Sequence, residues 1–236
     1  MRARKRPETT HKILIFMTKN TKIKVTKDGS YLITGGIPLL RMIIENDSYG
    51  DPCTWREVER YPQRESYTLC RCGKSRNMLY CDGAHIMQWF KGTETASGER
   101  YLENVKEYLG SKLKLTDKSE LCVGAGFCVR DANIWNLTVH SDRPGFKEIA
   151  IEEAANCPSG RLVVWDKRGN PIEPAYEPSI VVTEHEDGSP GPLWIRGDVA
   201  IESVNGIVYE KRNRVTLCRC GKSENKPLCD GSHFDK

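Results

Sequence analysis

The sequence predicts an α+β fold that is rich in β-strands and is assembled from small units. Alternating apolar residues on both sides of an Asp-Gly turn, within residues 22–37, are typical of a β-hairpin. A similar pattern begins at residue 180, so the chain repeats a unit of roughly 60–70 residues. Residues 148–156, between the two copies, are rich in helix-forming residues and add helical content.

In the first copy, we expect strands at residues 23–26 and 31–34, joined by the Asp-Gly turn. Residues 47–65 are rich in Gly, Pro, Asp and Arg, and this composition predicts a long loop. A further short strand is expected at residues 67–69, directly before a cluster of cysteines.

The second copy has the matching apolar segments at residues 180–183, 193–197 and 215–217. A duplicated unit predicts a pseudo-twofold packing of the two copies, with their strands in a shared sheet. Such a pseudo-dimer can form within one chain or between two chains, so we expect either a monomer with an internal pseudo-dimer or a homodimer.

The segment between the copies has a different pattern. Residues 101–109 carry a short charged helical pattern, and residues 113–115 and 162–165 read as strands. We therefore divide the chain into a flexible basic arm at 1–20, a first repeat unit at 21–92, a linker and middle domain at 93–175, and a second repeat unit at 176–236.

Cysteine usage points to an intracellular metal protein. The 236 residues include ten cysteines and five histidines, most of them clustered, and no secretory signal precedes them. No apolar run approaches the roughly 20 residues that span a bilayer. We therefore expect a cytoplasmic protein without a membrane partner. The net charge of +4 is modest, and we expect no nucleic-acid partner.

One ligand pattern occurs twice with identical spacing: Cys-x-Cys, eight residues, Cys, three residues, His. The spacing of the last Cys and His is i, i+4, which places both on one face if a helix begins there. Asp82 and Asp230 are natural residues for capping such a helix. The two sets of candidate ligands are Cys70, Cys72, Cys81 and His85, and Cys218, Cys220, Cys229 and His233.

Spacing alone leaves two metals open. Zinc accepts three Cys and one His, but its usual spacing is Cys-x₂₋₄-Cys. A [2Fe–2S] cluster also takes four protein ligands, which are normally all thiolates. The Cys-x-Cys spacing therefore favours an iron–sulfur cluster only modestly over zinc.

Both stretches resemble the CDGSH iron–sulfur domain (mitoNEET-type) family. The second stretch matches that family's pattern throughout, including Pro227. The first departs from it at Leu79, which stands in place of the proline and leaves every ligand position unchanged. The resemblance implies a [2Fe–2S] cluster at each motif, held by three Cys and one His. Four further residues are expected to orient the ligands and tune the potential, or to act as ordinary turn residues: Ser75, Asp82, Ser223 and Asp230.

The middle segment carries Cys122, Cys128 and Cys157, the last followed by Pro158. Over about residues 115–168 it resembles a divergent single-cluster bacterial ferredoxin, whose pattern is Cys-x₂-Cys-x₂-Cys and a distant Cys-Pro. Ala125 occupies the second ligand position and cannot bind iron. Three thiolates favour a [3Fe–4S] cluster. A [4Fe–4S] cluster with an outside ligand and an empty ferredoxin-like fold are the alternatives.

These features predict an iron–sulfur electron-transfer protein that works with a redox partner protein. The first alternative is storage or transfer of clusters to an apo-acceptor, or redox sensing, because His-ligated clusters are labile. The second is an interaction module in which metals only staple small folds together. No substrate or nucleotide site is evident in the sequence, so catalysis is the least supported function.

Overall fold

The computed structural model describes residues 21–77 and 79–234, so the basic arm predicted at 1–20 lies outside the described residues. The strands and helix of the first copy are β1 (Lys22–Val25), β2 (Tyr31–Thr34), β3 (Leu39–Asn46), β4 (Pro52–Arg60), β5 (Ser66–Leu69) and α1 (Ala84–Met87). The middle segment contains β6 (Lys106–Leu109), β7 (Lys114–Asp117), α2 (Ile134–Val139), α3 (Phe146–Asn156), β8 (Leu162–Trp165) and β9 (Pro171–Ile172). The second copy contains β10 (Ser179–Glu184), β11 (Pro190–Arg196), β12 (Ala200–Glu202) and β13 (Arg214–Leu217).

The strands predicted around each Asp-Gly turn are confirmed. In the first copy, β1, β2 and β5 form an antiparallel meander. In the second copy, β10, β11 and β13 form a meander with the same order. The meanders are equivalent in register, because Tyr31 pairs with Leu69 in one and Leu193 pairs with Leu217 in the other.

Each copy also contributes one strand to the sheet of the other copy. β3 leaves the first meander and pairs in parallel with β10, with Leu40 opposite Val181. In return, β12 pairs in parallel with β1, with Ile201 opposite Ile23. The resulting sheets have the orders β12-β1-β2-β5 and β13-β11-β10-β3-β4. The two copies are therefore held together by backbone hydrogen bonds as well as by packing.

The core between these sheets draws on both copies. Ile23 and Ile33 from the first copy pack in one cluster with Ile180 and Leu193 from the second. Burying each such side chain contributes about 1.5–3 kcal/mol, so each copy buries part of its core against the other.

Two expectations for secondary structure are wrong. The loop predicted at 47–65 contains strand β4, whose exposed polar residues lack the apolar alternation of a half-buried strand. Cross-strand ion pairs such as Arg56–Glu45 and Arg41–Glu59 accompany its pairing with β3. The helix predicted at 101–109 is a turn followed by β6, which pairs along the edge of β7.

The middle segment forms a sheet of order β6-β7-β8-β9 with α2 and α3 packed together. Its strand at β7, its helix at α3 and its strand at β8 confirm the predictions for residues 113–115, 148–156 and 162–165. Its apolar core is separate from the core of the two copies.

Candidate metal centres

The first Cys/His motif is fixed to the end of strand β5. The amide of Cys70 donates a hydrogen bond to the carbonyl of Leu79 at 2.7 Å, and the amide of Cys81 donates to the carbonyl of Thr68 at 3.0 Å. These two bonds extend the ladder past the strand and bring the loop back beside it. The Cys-x-Cys pair and the Cys/His pair therefore lie on two adjacent stretches of backbone.

The donor atoms of the first motif form two pairs. The Sγ atoms of Cys70 and Cys72 are 3.7 Å apart, and Sγ of Cys81 lies 3.3 Å from Nδ1 of His85. In the described part of the chain, no three His, Cys, Asp or Glu side chains are grouped closely enough to hold a metal ion. Two pairs of donors suit a two-iron cluster, in which each iron takes two protein ligands.

The second motif repeats this geometry. The Sγ atoms of Cys218 and Cys220 are 3.7 Å apart, and Sγ of Cys229 lies 3.5 Å from Nδ1 of His233. The amide of Cys218 donates to the carbonyl of Pro227 at 2.8 Å, in the place of the Cys70–Leu79 bond. The exchange of proline for leucine therefore leaves this backbone bond in place.

The expected helix geometry is only partly present. In the first motif, helix α1 begins at Ala84 and its cap position is Gly83, so Asp82 is not the N-cap residue. In the second motif, residues 231–234 form a turn rather than a helix. The Cys and His side chains nevertheless lie close together in both motifs, because a single turn is enough to bring residues i and i+4 near each other.

The predicted Ser and Asp residues bind the backbone of their own loops. Ser75 and Ser223 each donate a 2.7 Å hydrogen bond from Oγ to a carbonyl five residues later. Asp82 accepts from the amides of Arg76 and Ala84, and Asp230 accepts from the amides of Glu224 and Ser232. These bonds hold the loops closed around the ligands.

Burial and neighbouring groups shift the pKa values of several candidate ligands. It raises the pKa of the Cys229 thiol to about 12, because a thiolate is poorly solvated there. The hydrogen bond from Cys218 lowers the pKa of Cys220 to about 6. Burial lowers the pKa of His233 to about 4, so its imidazole is neutral at pH 7, which is the form that binds metal.

Two arginines lie between the cysteines of the Cys-x-Cys pairs, and both are buried. Arg71 donates to the carbonyl of Thr26 at 3.2 Å and to the carbonyl of Gly92. Burial lowers the pKa of Arg219, whose charge interacts with Glu184 and with Cys70 of the other motif. Sequence reasoning missed both residues, because an arginine inside a loop motif is normally exposed.

The two Cys/His motifs contact each other through the backbone that follows each Cys-x-Cys pair. A Cβ on Gly73 would lie 2.5 Å from the carbonyl oxygen of Cys220, and a Cβ on Gly221 would lie 2.8 Å from that of Cys72. Each contact joins the glycine after one Cys-x-Cys pair to a ligand residue of the other pair. The two candidate centres are therefore direct neighbours.

The structure brings the three middle cysteines to one small cavity, which Cys122, Cys128 and Cys157 line together with Ala125. Burial raises the pKa of Cys128 to about 12. Ala125 lines this cavity but offers no donor atom, as the sequence predicts.

Arg161 supplies positive charge to the middle site. Its guanidinium binds both carboxylate oxygens of Asp117, at 2.6 and 2.9 Å, and also interacts with the thiol of Cys122. The hydrogen bond to Asp117 raises its pKa, so it stays charged. A fixed positive charge beside a thiolate ligand favours the reduced state of a bound cluster.

The middle site lies against the second motif. A Cβ on Gly231 would lie 3.1 Å from the carbonyl oxygen of Cys122, and the ring of Phe234 packs on Gly124. The ligand loops of the three candidate centres thus touch in the order first motif, second motif, middle site.

The remaining cysteine stands apart from these sites. Sγ of Cys53 lies 3.2 Å from the carbonyl of Glu45 in strand β3. All ten cysteines are free thiols, none joined in a disulfide. Within residues 21–77 and 79–234, no helix combines the length and the apolar character that crossing a bilayer requires.

Comparison with known families agrees with this arrangement. A family model for the iron-binding zinc finger of the CDGSH type matches residues 28–86 and 190–234. A model for a divergent 4Fe-4S mono-cluster matches residues 108–167. No curated protein and no solved structure matches the chain. The chain is therefore an iron–sulfur protein with two CDGSH-type regions on either side of a divergent 4Fe-4S mono-cluster region.

Proposed function

We propose that this protein transfers electrons, with a [2Fe–2S] cluster at each CDGSH motif and a three-cysteine cluster at the middle site. The observation that carries the proposal is the row of backbone contacts between the three ligand loops, Gly73 with Cys220 and Gly231 with Cys122. Electron tunnelling falls steeply with distance, so centres whose ligand loops touch are suited to a relay. The clusters supply reversible one-electron exchange.

The protein's own residues support such a relay in three ways. Ser75, Ser223 and the two loop aspartates close the ligand loops. A neutral His ligand removes negative charge that a fourth thiolate would add, which raises the potential above that of all-Cys centres, at about −400 mV. The buried arginines and Arg161 place positive charge near the sites.

The reciprocal exchange of β3 and β12 supports a pseudo-twofold arrangement of the two CDGSH units within one chain. Both meanders then take equivalent places, and the Gly73–Cys220 and Gly221–Cys72 contacts are related by the same axis. A monomer already contains the pair, so we propose that no second chain is needed to complete either site.

For the middle site we propose a [3Fe–4S] cluster, with a [4Fe–4S] cluster holding an outside ligand as the alternative. Ala125 supports the first choice, because its methyl group stands where the usual pattern has a ligand. The matched family model describes a 4Fe-4S type, so the spectrum of the oxidised protein separates the two. An oxidised [3Fe–4S] centre is paramagnetic, whereas an oxidised [4Fe–4S] centre is not.

A stepwise reductive titration of anaerobic holoprotein tests electron transfer. Three one-electron centres predict uptake of about three electrons per chain, recovered on reoxidation without loss of iron. Uptake that destroys the visible absorption irreversibly would contradict a carrier role.

Cluster transfer to an apo-acceptor is the second candidate. Cys81 and His85 are only partly buried, whereas Cys70 and Cys72 are buried, so one side of the first site is accessible. His85→Cys should slow cluster transfer while leaving electron exchange measurable. His233→Cys is the matched variant at the more enclosed second site, and equal effects on transfer would argue against release from the first.

We further propose a redox partner protein and a cytoplasmic location. The free thiols of the described cysteines suit a reducing compartment. A module that metals only staple together would need no contact between its sites, so the contacts favour the redox role over that alternative.

A further inference from the structure

The residue that follows each ligand histidine has a different environment in the two motifs. Phe234, directly after His233, packs on Gly124 of the middle segment and lies 5.1 Å from the ring of His185. Its counterpart Ile86, directly after His85, is 68% exposed. Phe234 is itself 47% exposed, so this position contacts another ligand loop at the second site and is more open at the first.

The open position belongs to a larger apolar patch. Met87 is 78% exposed and Trp89 is 87% exposed, next to Ile86 on the same short turn. Burying such side chains gains about 1.5–3 kcal/mol each, and exposed apolar patches beside a polar rim mark interaction sites. We call Ile86, Met87 and Trp89 the apolar patch.

The turn that carries the patch includes one residue in an unfavourable backbone conformation. Trp89 has a φ of 50°, in the left-handed region that a bulky residue rarely adopts. The amides of Trp89 and Phe90 donate to the carbonyls of Ile86 and His85, at 3.3 and 3.0 Å, and fix this turn. Strain of this kind is found where surrounding structure enforces it, often at binding sites.

Exposed lysines lie on the turns next to the apolar patch. The turn of Lys27 and Asp28 lies beside His85, because a Cβ on Gly29 would be 3.6 Å from Nε2 of that histidine. The carboxylate of Asp28 is engaged by the amide of Gly92 at 2.8 Å. The exposed lysines next to the patch are Lys27 and Lys91, which form its basic rim, whereas Arg76 on the ligand loop faces Asp82 at 3.8 Å.

The second motif shows what kind of surface contacts this position. Gly124 lies between Cys122 and Cys128, so Phe234 packs on the ligand loop of another candidate cluster. That loop belongs to the chain's own middle segment. The first motif presents the equivalent surface with no such loop from the described residues over Ile86.

We propose that the apolar patch and its basic rim dock the cluster-binding loop of a separate acidic iron–sulfur carrier. This inference rests on the proposed electron-transfer function and assigns the first motif as the end of the relay that faces the partner. One electron leaves the reduced carrier, which is oxidised, and is taken up at the first centre, which is reduced. We assign docking to the first motif because Phe234 at the second motif is less exposed than Ile86 and already contacts the middle segment.

Binding of a plant-type [2Fe–2S] ferredoxin of net negative charge to the anaerobic holoprotein tests this surface. We expect Ile86→Ser combined with Trp89→Ser to raise Kd at least tenfold, with the second-order rate of electron uptake falling by a similar factor. Ile207→Ser is the matched control, because Ile207 is 69% exposed and lies outside both motifs. It should leave Kd unchanged.

Charge gives a second comparison. Lys91→Glu should weaken ferredoxin binding severalfold at low salt, and this difference should shrink at high salt. Lys211→Glu changes the net charge equally at an exposed residue outside the Cys/His motifs and should have a smaller effect. Equal weakening by both variants would overturn the proposed surface.

The outcomes also separate docking from function. If the patch variant binds ferredoxin as well as the Ile207→Ser control, while dithionite reduces both proteins fully, docking is overturned and the relay stands. If dithionite delivers no recoverable electrons to the wild-type protein, the proposed function is overturned. If the patch instead mediates self-association, sedimentation would show a dimer that Ile86→Ser dissociates, and the carrier proposal would be overturned.

Discussion

The hydroxyl of Tyr31 donates a 2.8 Å hydrogen bond to the carbonyl of Cys218. Tyr31 lies in strand β2 of the first copy, whereas Cys218 is a candidate ligand in the second motif. The carbonyl of Pro227 lies 3.1 Å from the same hydroxyl, so the two carbonyls share its single proton. Leu193 takes the equivalent place in the second copy and has no hydroxyl, so only the second motif receives this support.

Tyr31→Phe should therefore destabilise the second centre more than the first, where, within the residues that the structure describes, the tyrosine interacts with Arg71 but with no ligand carbonyl. A net hydrogen bond contributes about 1 kcal/mol, so cluster loss from the second motif should accelerate about fivefold. Visible absorption during an anaerobic challenge with an iron chelator measures this loss as one kinetic phase for each cluster. The phase that is absent from Cys229→Ser belongs to the second motif.

Tyr67→Phe is the control for that change. Tyr67 is another buried tyrosine, and its hydroxyl donates at 2.8 Å to the carbonyl of Ile37, away from the ligand loops. It should leave both phases of cluster loss at their wild-type rates. Equal acceleration of both phases by Tyr31→Phe would show that the bond acts on the whole fold and not on one site.

Gly73→Ala should disrupt the contact between the two CDGSH motifs. Gly73 has a φ of 69°, and an added Cβ would lie 2.5 Å from the carbonyl oxygen of Cys220. Left-handed backbone costs a non-glycine residue about 1–2 kcal/mol, and the collision adds about 1–3 kcal/mol. We expect lower iron content and a lower Tm of the holoprotein.

Gly169→Ala separates these two costs. Gly169 has a φ of 85°, but no atom lies within 4 Å of an added Cβ. This variant should lose only the backbone contribution and keep its full iron content. If Gly73→Ala is no worse than Gly169→Ala, the motifs are not in the close contact described.

Ala125→Cys should complete the ligand set of the middle site. A thiolate at this position would convert a three-cysteine site into the four-cysteine pattern of bacterial ferredoxins. The paramagnetic signal of the oxidised protein should disappear, with about one iron gained per chain. Ala125→Ser, of nearly the same volume but with a hard oxygen donor, should keep the wild-type signal in electron paramagnetic resonance.

Glu153 makes the stability of the protein depend on pH. Its side chain in α3 is 1% exposed, and neither carboxylate oxygen has a hydrogen-bond partner among the described residues. Burial raises its pKa to about 8, an effect that Arg130 opposes and that Asp131 and Glu152 reinforce. The folded protein therefore holds this proton more tightly than the unfolded chain, whose pKa is about 4.3.

Stability from this proton is fully present below about pH 4.3 and is lost as pH rises through 8. Glu153→Gln is neutral at every pH, so its Tm should exceed that of the wild-type protein by several degrees at pH 8.5 and by less at pH 6. Glu152→Gln, at an exposed neighbour, should show no such pH-dependent gain. A constant Tm difference between Glu153→Gln and wild type would rule out the buried proton.

Local sequence signals predicted a large part of this molecule. Ligand spacing identifies the Cys/His motifs because four donors to one centre must lie within a short loop, and the structure brings Cys70 to Cys72 and Cys81 to His85. The Asp-Gly turns likewise specify the hairpins, because a turn and alternation are local properties.

What the sequence did not reveal depends on distant partners. Tyr31 and Cys218 are 187 residues apart, and nothing near either residue signals their contact. Strand β4 was missed because ion pairs to β3 replace an apolar pattern. The exchange of β3 and β12 between sheets also depends on long-range contacts, because packing in the shared core determines it and local propensity does not.

Iron, acid-labile sulfide and zinc per chain, measured on anaerobically purified protein, test the three-centre account most directly. Two [2Fe–2S] clusters and one [3Fe–4S] cluster predict about seven irons and about eight sulfides, with no zinc. About four irons and four sulfides would show that the middle site holds no cluster, and this would contradict a relay of three centres. Zinc without sulfide would contradict the redox account altogether and leave a metal-stapled module.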